Sequence, residues 1–250
     1  MSNLRLYIPP PWPKTGTAVP LDDGAVRHIN VLRMQVGESI ELFDGVGQSG
    51  QAVITALAKR KGECRLESVK SIDDHSPVHI TLFQAFPKAD KFDSIIQKTT
   101  ELGIECVVPV MTERSAPVPK GERLQKKLDH WKKVAIEASR QSGRVSVPEI
   151  TAPIHLRELK QHINNSEICV ILHTVSNTDN IGSIATGNGY SKVSVLVGPE
   201  GGFSAEEISQ AVEMGLKPTG CGPRIMRTET AGPAIVTLLQ YMFGDLREQK

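Results

Sequence analysis

Two short segments carry residue types from which chemistry can be built. The first is Val193-Ser194-Val195-Leu196-Val197-Gly198-Pro199-Glu200-Gly201-Gly202-Phe203-Ser204. An apolar run ends in a glycine-rich turn, and a helix follows, opened by the capping box Ser204-Ala205-Glu206-Glu207. In α/β folds ligands bind at the carboxyl ends of strands. Glycines there leave main chain bare, and its N–H and C=O groups can read a purine edge. No Lys-Ser/Thr pair follows, so the turn is not a P-loop; a tight structural turn is the plain alternative. The second segment is Gly220-Cys221-Gly222-Pro223-Arg224-Ile225-Met226-Arg227-Thr228-Glu229-Thr230-Ala231. Its two arginines beside a carboxylate form either a surface ion-pair set or a group facing an anionic or carbonyl-rich ligand, and the segment alone favours neither. Pro233 fits only the first turn of the next helix, which places that helix's cap near Thr230.

Other patterns read as structure. Gly45-Val46-Gly47-Gln48-Ser49-Gly50 matches G-x-G-x-x-G, but a β-alternating run follows it rather than a helix. It reads as a hairpin loop, and a nicotinamide-dependent dehydrogenase loses its fingerprint. His75 and His79 are four apart, but Pro77 lies between them and the segment reads extended, so no metal is expected. Cys64, Cys106, Cys169 and Cys221 each stand alone in apolar stretches, without zinc or disulfide spacing. They read as small buried hydrophobes in a reducing compartment. Residues 1–13 form neither a signal peptide nor a membrane span, so a cytoplasmic location is expected.

The elements that must position the two segments follow from periodicity. Up to about residue 72 the chain is β-rich: 38–43, 51–57 and 63–69 alternate, with a short helix around 25–32, as in a small barrel. Ser71 to Pro77 is a polar linker. From 73 to 250 strands alternate with helices. Strands are predicted at 78–86, 106–110, 169–172 and 193–197, and helices at 90–102, 124–141, 156–163, 204–214 and 231–243. That alternation implies a mostly parallel sheet in an α/β domain. The 250 residues, 39% hydrophobic and 23% charged, suit a soluble globular protein. The net charge of +1 confines any nucleic-acid surface to local patches, such as 59–61 and 114–144; the plain reading of such clusters is a solvated helix face.

Taken in order, the motifs resemble the RsmE family, uridine-N3 methyltransferases of 16S rRNA within the SPOUT superfamily. Arg27-His28-Ile29-Asn30-Val31-Leu32-Arg33 matches its His…Val-Leu-Arg element. Lys98-Thr99-Thr100-Glu101-Leu102-Gly103, Pro109 to Ser115, Trp131, Glu137 to Arg144 and Pro148 match in the middle, and the two segments above at the end. The departures are small: Cys221 and Met226 stand where leucine is usual, and Arg140 precedes Gln141 where small residues are usual.

The resemblance implies a PUA-like barrel over 1–72 and a SPOUT domain with a deep trefoil knot over 73–250, working as a homodimer. It implies S-adenosylmethionine (SAM) as cofactor, held by Leu172 and His173 with the loop after them, by Val197, Gly198, Pro199, Glu200, Gly201 and Gly202, and by Cys221, Gly222, Ile225, Met226, Arg227 and Thr228. Arg227, supported by Arg224, is expected to stabilise the uracil anion, and Glu229 to orient the arginines or relay the proton. His28, Arg33, Arg114 and Arg144 are expected to contact 16S rRNA of the small subunit. Two other readings remain: a SPOUT enzyme acting on another RNA or another atom, and a non-catalytic RNA-binding assembly factor.

Overall fold

The structure, a computed structural model, describes residues 4–173, 179–184 and 189–247. The chain forms two compact units, Met1–Asp74 with Ser139–Val147, and His75–Ala138 with Pro148–Lys250.

The first unit contains β1 (Arg5–Tyr7), β2 (Ala18–Leu21), α1 (Asp23–Val31), β3 (Ser39–Phe43), β4 (Gln48–Leu57) and β5 (Gly62–Ser71). Its sheet runs β1-β3-β4-β5-β2, with β1 parallel to β3 and the remaining pairs antiparallel. The glycine pattern at 45–50 is the hairpin between β3 and β4. Asp44 Oδ1 accepts the Val46 and Gln48 N–H groups at 2.8 Å each, and Gly45 and Gly47 take the positive φ angles the turn needs, 83° and 111°. Helix α1 starts on Asp22, whose side chain caps Ala25, and buries Val26 and Ile29. It ends in a Schellman motif: Arg33 N–H reaches Asn30 O at 3.0 Å and Met34 N–H reaches Ile29 O at 3.1 Å. The left-handed position of that motif, usually glycine, is Arg33, at φ 57°. Strands β1 and β2, of three and four residues among prolines, are too short for alternation to reveal. Residues 139–147 join this unit through Arg5. Its guanidinium donates to the carbonyls of Ser139, Arg140 and Arg144 at 3.5, 3.3 and 3.2 Å, and pairs with Glu41 at 3.3 Å.

The second unit contains β6 (His79–Ala85), α2 (Lys91–Glu101), β7 (Cys106–Met111), α3 (Glu122–Ser142, whose last residues belong to the first unit), β8 (Glu149–Ile150) and β9 (Ile154–His155). A 3₁₀ turn (Leu156–Glu158) leads to α4 (Leu159–Ile163), β10 (Ile168–Leu172), β11 (Asp179–Asn180), α5 (Ile181–Ile184), β12 (Lys192–Val197), α6 (Ala205–Glu213), β13 (Lys217–Gly220) and α7 (Thr228–Phe243). The sheet order is β11-β13-β10-β12-β6-β7-β8, with β9 also on β7, and every pair is parallel. A parallel sheet is covered on both faces, which explains the unbroken apolar runs of its strands. Phe83, Ile171 and Leu196 pack with Leu159 and Ile163 of α4 and Ala211 of α6. On the other face, a Cβ on Gly232 of α7 would lie 3.4 Å from Leu82 of β6 and 3.6 Å from Ile95 of α2.

The expected strands and helices of this unit are present within a few residues of their predicted ends, with one correction. Helix α7 begins at Thr228 with Arg227 as its N-cap, not near Thr230. Pro233 therefore lies inside the helix, where it cannot donate to the Glu229 carbonyl. The preceding residue is Gly232, whose missing Cβ removes much of the steric conflict a proline imposes on its neighbour.

The turn between β6 and α2 holds Ala89 at φ 57°, a left-handed conformation that costs an L-residue about 1–2 kcal/mol. Glycine's freer unfolded chain offsets about 0.5–1 kcal/mol of that. Ala89→Gly is expected to raise the unfolding free energy by roughly 0.5–1 kcal/mol in urea titrations. A loss of stability would contradict the assignment of strain to this turn.

Candidate active site

Strands β10, β12 and β13 end side by side, and the N-terminus of α7 lies over their carboxyl ends. A cavity of about 280 Å³ opens there. Its walls are Leu172 and His173 after β10, the whole run from Val197 to Phe203 after β12, and Thr219, Cys221, Gly222, Arg224, Ile225 and Met226 after β13, closed by Thr228 and Ala231 of α7. Each expected cofactor residue except Arg227 lines this one cavity. Residues 174–178, which hold most of the expected loop after Leu172, lie outside the described residues.

Specific bonds hold the loops together. The Thr228 hydroxyl donates to the Gly198 carbonyl at 2.7 Å, joining the start of α7 to the end of β12. A side chain at 198 would strike the Phe203 ring, at 3.0 Å from Cε2. Glycine there lets the aromatic ring close against bare main chain. Gly202 sits at φ 65° and donates to Pro199 O at 3.0 Å; Gly222, in the facing loop, sits at φ 89°. The capping box of α6 is formed, and Glu207 also accepts the Glu113 N–H at 2.7 Å. That bond ties the turn carrying Arg114 to the glycine loop, and Arg114 Nη1 donates to Gly201 O at 3.0 Å.

The electrostatics centre on Lys91. Its ammonium stands 2.9 Å from Glu200 Oε1 and 3.2 Å from Glu229 Oε2. Burial alone would raise the Glu200 carboxyl, but Lys91, with backbone N–H donors including Lys88, holds it below the ordinary 4.5. Glu229 is lowered first by its own N–H in the opening turn of α7, then by Lys91 and by the Arg227 charge. The Lys91 ammonium is correspondingly raised above its ordinary 10.5, chiefly by Glu200. Burial pushes the Cys221 thiol up to about 11, so it presents a neutral wall.

The expected catalytic residues divide. Arg224 lines the cavity. Arg227 is the exposed N-cap of α7, without a side-chain cap bond, and Glu229 faces Lys91; neither lines the cavity. Of the residues expected to meet RNA, His28 lies in the last turn of α1, while Arg33 is exposed at the left-handed cap. Arg144 donates to the Ser146 hydroxyl at 3.1 Å, and Arg114 props Gly201. Sequence reasoning missed Phe203, Thr219 and Ala231 as lining residues. Phe203 had a readable signal, an aromatic directly after a glycine run; Thr219 sits on a short proline-bearing strand that offers none. Lys91 was missed because its partners are 109 and 138 positions away in the chain. Among the described residues no group of three or more His, Cys, Asp or Glu is placed to hold a metal ion, and no helix is long and apolar enough to cross a membrane.

Lys91→Met should destabilise the protein at neutral pH. Carboxyls held low in the fold contribute stability above their unfolded value, and that contribution is lost as pH falls through the folded values. The gap between wild type and variant, from chemical denaturation at several pH values, should therefore shrink below 4.5. A gap that stays constant from neutral pH to below that range would contradict the pairing.

Two sequence families match the chain: an RNA methyltransferase PUA domain over residues 21–67 and an RNA methyltransferase domain over residues 74–240. Among relatives named ribosomal RNA small subunit methyltransferase E, that of Aquifex aeolicus is 34% identical over 90% of this chain and 95% of its own length. That of Buchnera aphidicola is 32% identical over 87% and 85%. The crystal structure of a ribosomal RNA small subunit methyltransferase E from Neisseria gonorrhoeae bound to S-adenosyl methionine superposes with a TM-score of 0.88, at 35% identity, over 98% of this chain and 100% of that one. A Legionella pneumophila protein in complex with SAM superposes at 0.91, with 33% identity and coverage of 98% and 100%. With a PUA-like N-terminal unit, a parallel α/β unit later in the chain, and relatives that match almost end to end, the chain belongs to the RsmE family of RNA methyltransferases.

Proposed function

We propose that this chain transfers a methyl group from SAM to N3 of a uridine in 16S rRNA of the small ribosomal subunit. The observation that carries the reading is the convergence of 198–202 and 221–228 on one cavity, with Arg224 in its wall and Arg227 at the adjoining helix N-terminus. The cavity fits the cofactor's chemistry. Leu172, Val197, Phe203, Ile225 and Met226 offer apolar faces to a purine, and the glycine loops offer main-chain donors and acceptors to its edges. Bound SAM supplies an electrophilic methyl group on a sulfonium sulfur.

The protein's own residues meet the other half of the problem. Uracil N3 carries a proton and attacks poorly until that proton passes to solvent water and negative charge develops on O2 and O4; the N3–methyl bond then forms as the sulfur–methyl bond breaks, which leaves the sulfur neutral. A helix N-terminus favours negative charge, and two arginines placed there add to it. Arg227 has no capping bond, and Glu229, whose charge would oppose it, is paired with Lys91. Preorganised positive charge of this kind stabilises an anion in the transition state more than the neutral base. Glu229 remains ionised against Lys91. The base leaves its stack to enter the cavity.

Phosphate contacts come from Arg33, Arg144 and His28 on the first unit and from the free edge of the Arg114 guanidinium. Arg33 occupies a left-handed position that glycine would fill at lower cost. A strained arginine in place of a relaxed glycine is the expected mark of a side chain retained for binding.

The enzyme works in the cytoplasm as a homodimer. The apolar Ile225, Leu238, Tyr241 and Leu246 are exposed on the single chain, and a second copy covers them. Membership of the family implies a trefoil knot, and the strand order, with β12 on one side of β10 and β13 on the other, is compatible with it.

Purified protein, SAM and small-subunit rRNA from cells lacking the enzyme should give a new reverse-transcription stop at one uridine, since methyl at N3 blocks pairing. Methyl incorporation without a stop would overturn the N3 assignment. Arg227→Ala should lower kcat/KM at least tenfold, about 1.4 kcal/mol of transition-state stabilisation. Activity within about threefold, ~0.7 kcal/mol, would remove Arg227 from its role. Arg33→Gly should stabilise the fold by about 0.5–1 kcal/mol while weakening RNA binding and flattening its salt dependence by about one charge. RNA affinity unchanged at any salt would contradict a phosphate contact.

A further inference from the structure

Behind the cavity, outside its lining, lies a buried amide. Gln84, on β6, has no solvent exposure. Its Nε2 donates to Thr228 Oγ1 at 2.9 Å and to Ala85 O at 3.1 Å. The orientation of this amide follows from the partners. Thr228 has one hydroxyl proton, and it goes to Gly198 O. The hydroxyl must therefore accept from Gln84, and the Ala85 carbonyl can only accept. Both amide protons are thus committed, and Oε1 is left buried without a partner, facing Gly232 of α7, whose Cβ would lie 3.1 Å away.

A threonine hydroxyl alone can rotate and donate elsewhere. With Gln84 donating into its oxygen, the proton has one direction left, toward Gly198. We propose that Gln84 is a positioning residue for the cofactor. By holding the Thr228 hydroxyl onto the Gly198 carbonyl, it sets the height of the glycine loop at the end of β12, and so the shape of the cavity for SAM. An orphaned buried acceptor is costly, and its retention here accompanies the only geometry in which both amide protons reach their targets. This inference rests on the reading of the cavity as a SAM site.

The test is calorimetric titration of the full chain with SAM, alongside its Tm without ligand. Gln84→Met keeps the length and removes the donors; the SAM Kd should rise about tenfold. Thr228→Val should weaken binding similarly, and the double variant should bind within about twofold of Thr228→Val alone, because the two residues act through one bond chain. Additive losses would overturn the proposal. Gly232→Ala gives an independent reading if Gln84→Met does not fold. Alanine is the better helix former by about 1 kcal/mol, but its methyl presses on Gln84 Oε1. The methyl also restores the conflict with Pro233, so Tm should fall, while SAM binding measured well below that Tm should weaken at least about threefold. If wild type binds SAM and both Gln84→Met and Gly232→Ala bind it as tightly, Gln84 has no positioning role. If wild type binds no SAM, the reading of the cavity itself fails, and this inference with it.

Discussion

One hydrogen bond, from the Thr228 hydroxyl to the Gly198 carbonyl at 2.7 Å, sets the geometry of the site. It joins two segments thirty residues apart that approach along different routes. One arrives at the end of β12, the other after β13 at the start of α7. Between those strands lies β10, so the two loops straddle the carboxyl end of that strand. Without a tie across that gap, two glycine-rich loops would have many conformations and no fixed surface to offer a ligand. Thr228 is buried and the tie is partly shielded from water, which strengthens it.

Glycine and charge divide the work around this tie. Glycines at 198, 202 and 222 remove side chains where the Phe203 ring must close or where φ is positive. They leave the site almost without charge of its own along the main chain. Positive charge is supplied by α7's N-terminus and the two arginines, and the carboxylates of Glu200 and Glu229 share Lys91, whose one charge offsets part of theirs. Had Glu200 and Glu229 paired with Arg224 and Arg227, the same residues would cancel the field that the proposed chemistry needs. The position of α2, which carries Lys91, is thus part of the electrostatics of a cavity it does not line.

Much of this was legible in the sequence because the signals were local. The capping box at Ser204, the apolar runs of β6, β10 and β12, and the glycine pattern at 198–202 each depend on a few adjacent residues, and each appears in the structure as read. The glycine pattern at 45–50 was separable from a nucleotide fingerprint because the run after it alternates. What escaped were features set by distant partners. Residues 139–147 join the first unit through Arg5, Asp74 and Gly45, and no periodicity in a long amphipathic helix announces that. Pro233 points to a helix start near Thr230, yet α7 begins at Thr228, because a preceding glycine makes an interior proline tolerable. Lys91 and Gln84 look like an ordinary surface lysine and an ordinary strand residue until their partners, more than a hundred residues on, are in place.

The most direct test of the central claim is a crystal structure of the full chain with S-adenosylhomocysteine, the demethylated product. The ligand should lie between residues 198–202 and 221–228, with the Thr228–Gly198 bond intact and Arg224 and Arg227 on the side open to RNA. Ligand density elsewhere on the protein, or those two loops drawn apart with the bond broken, would contradict the account.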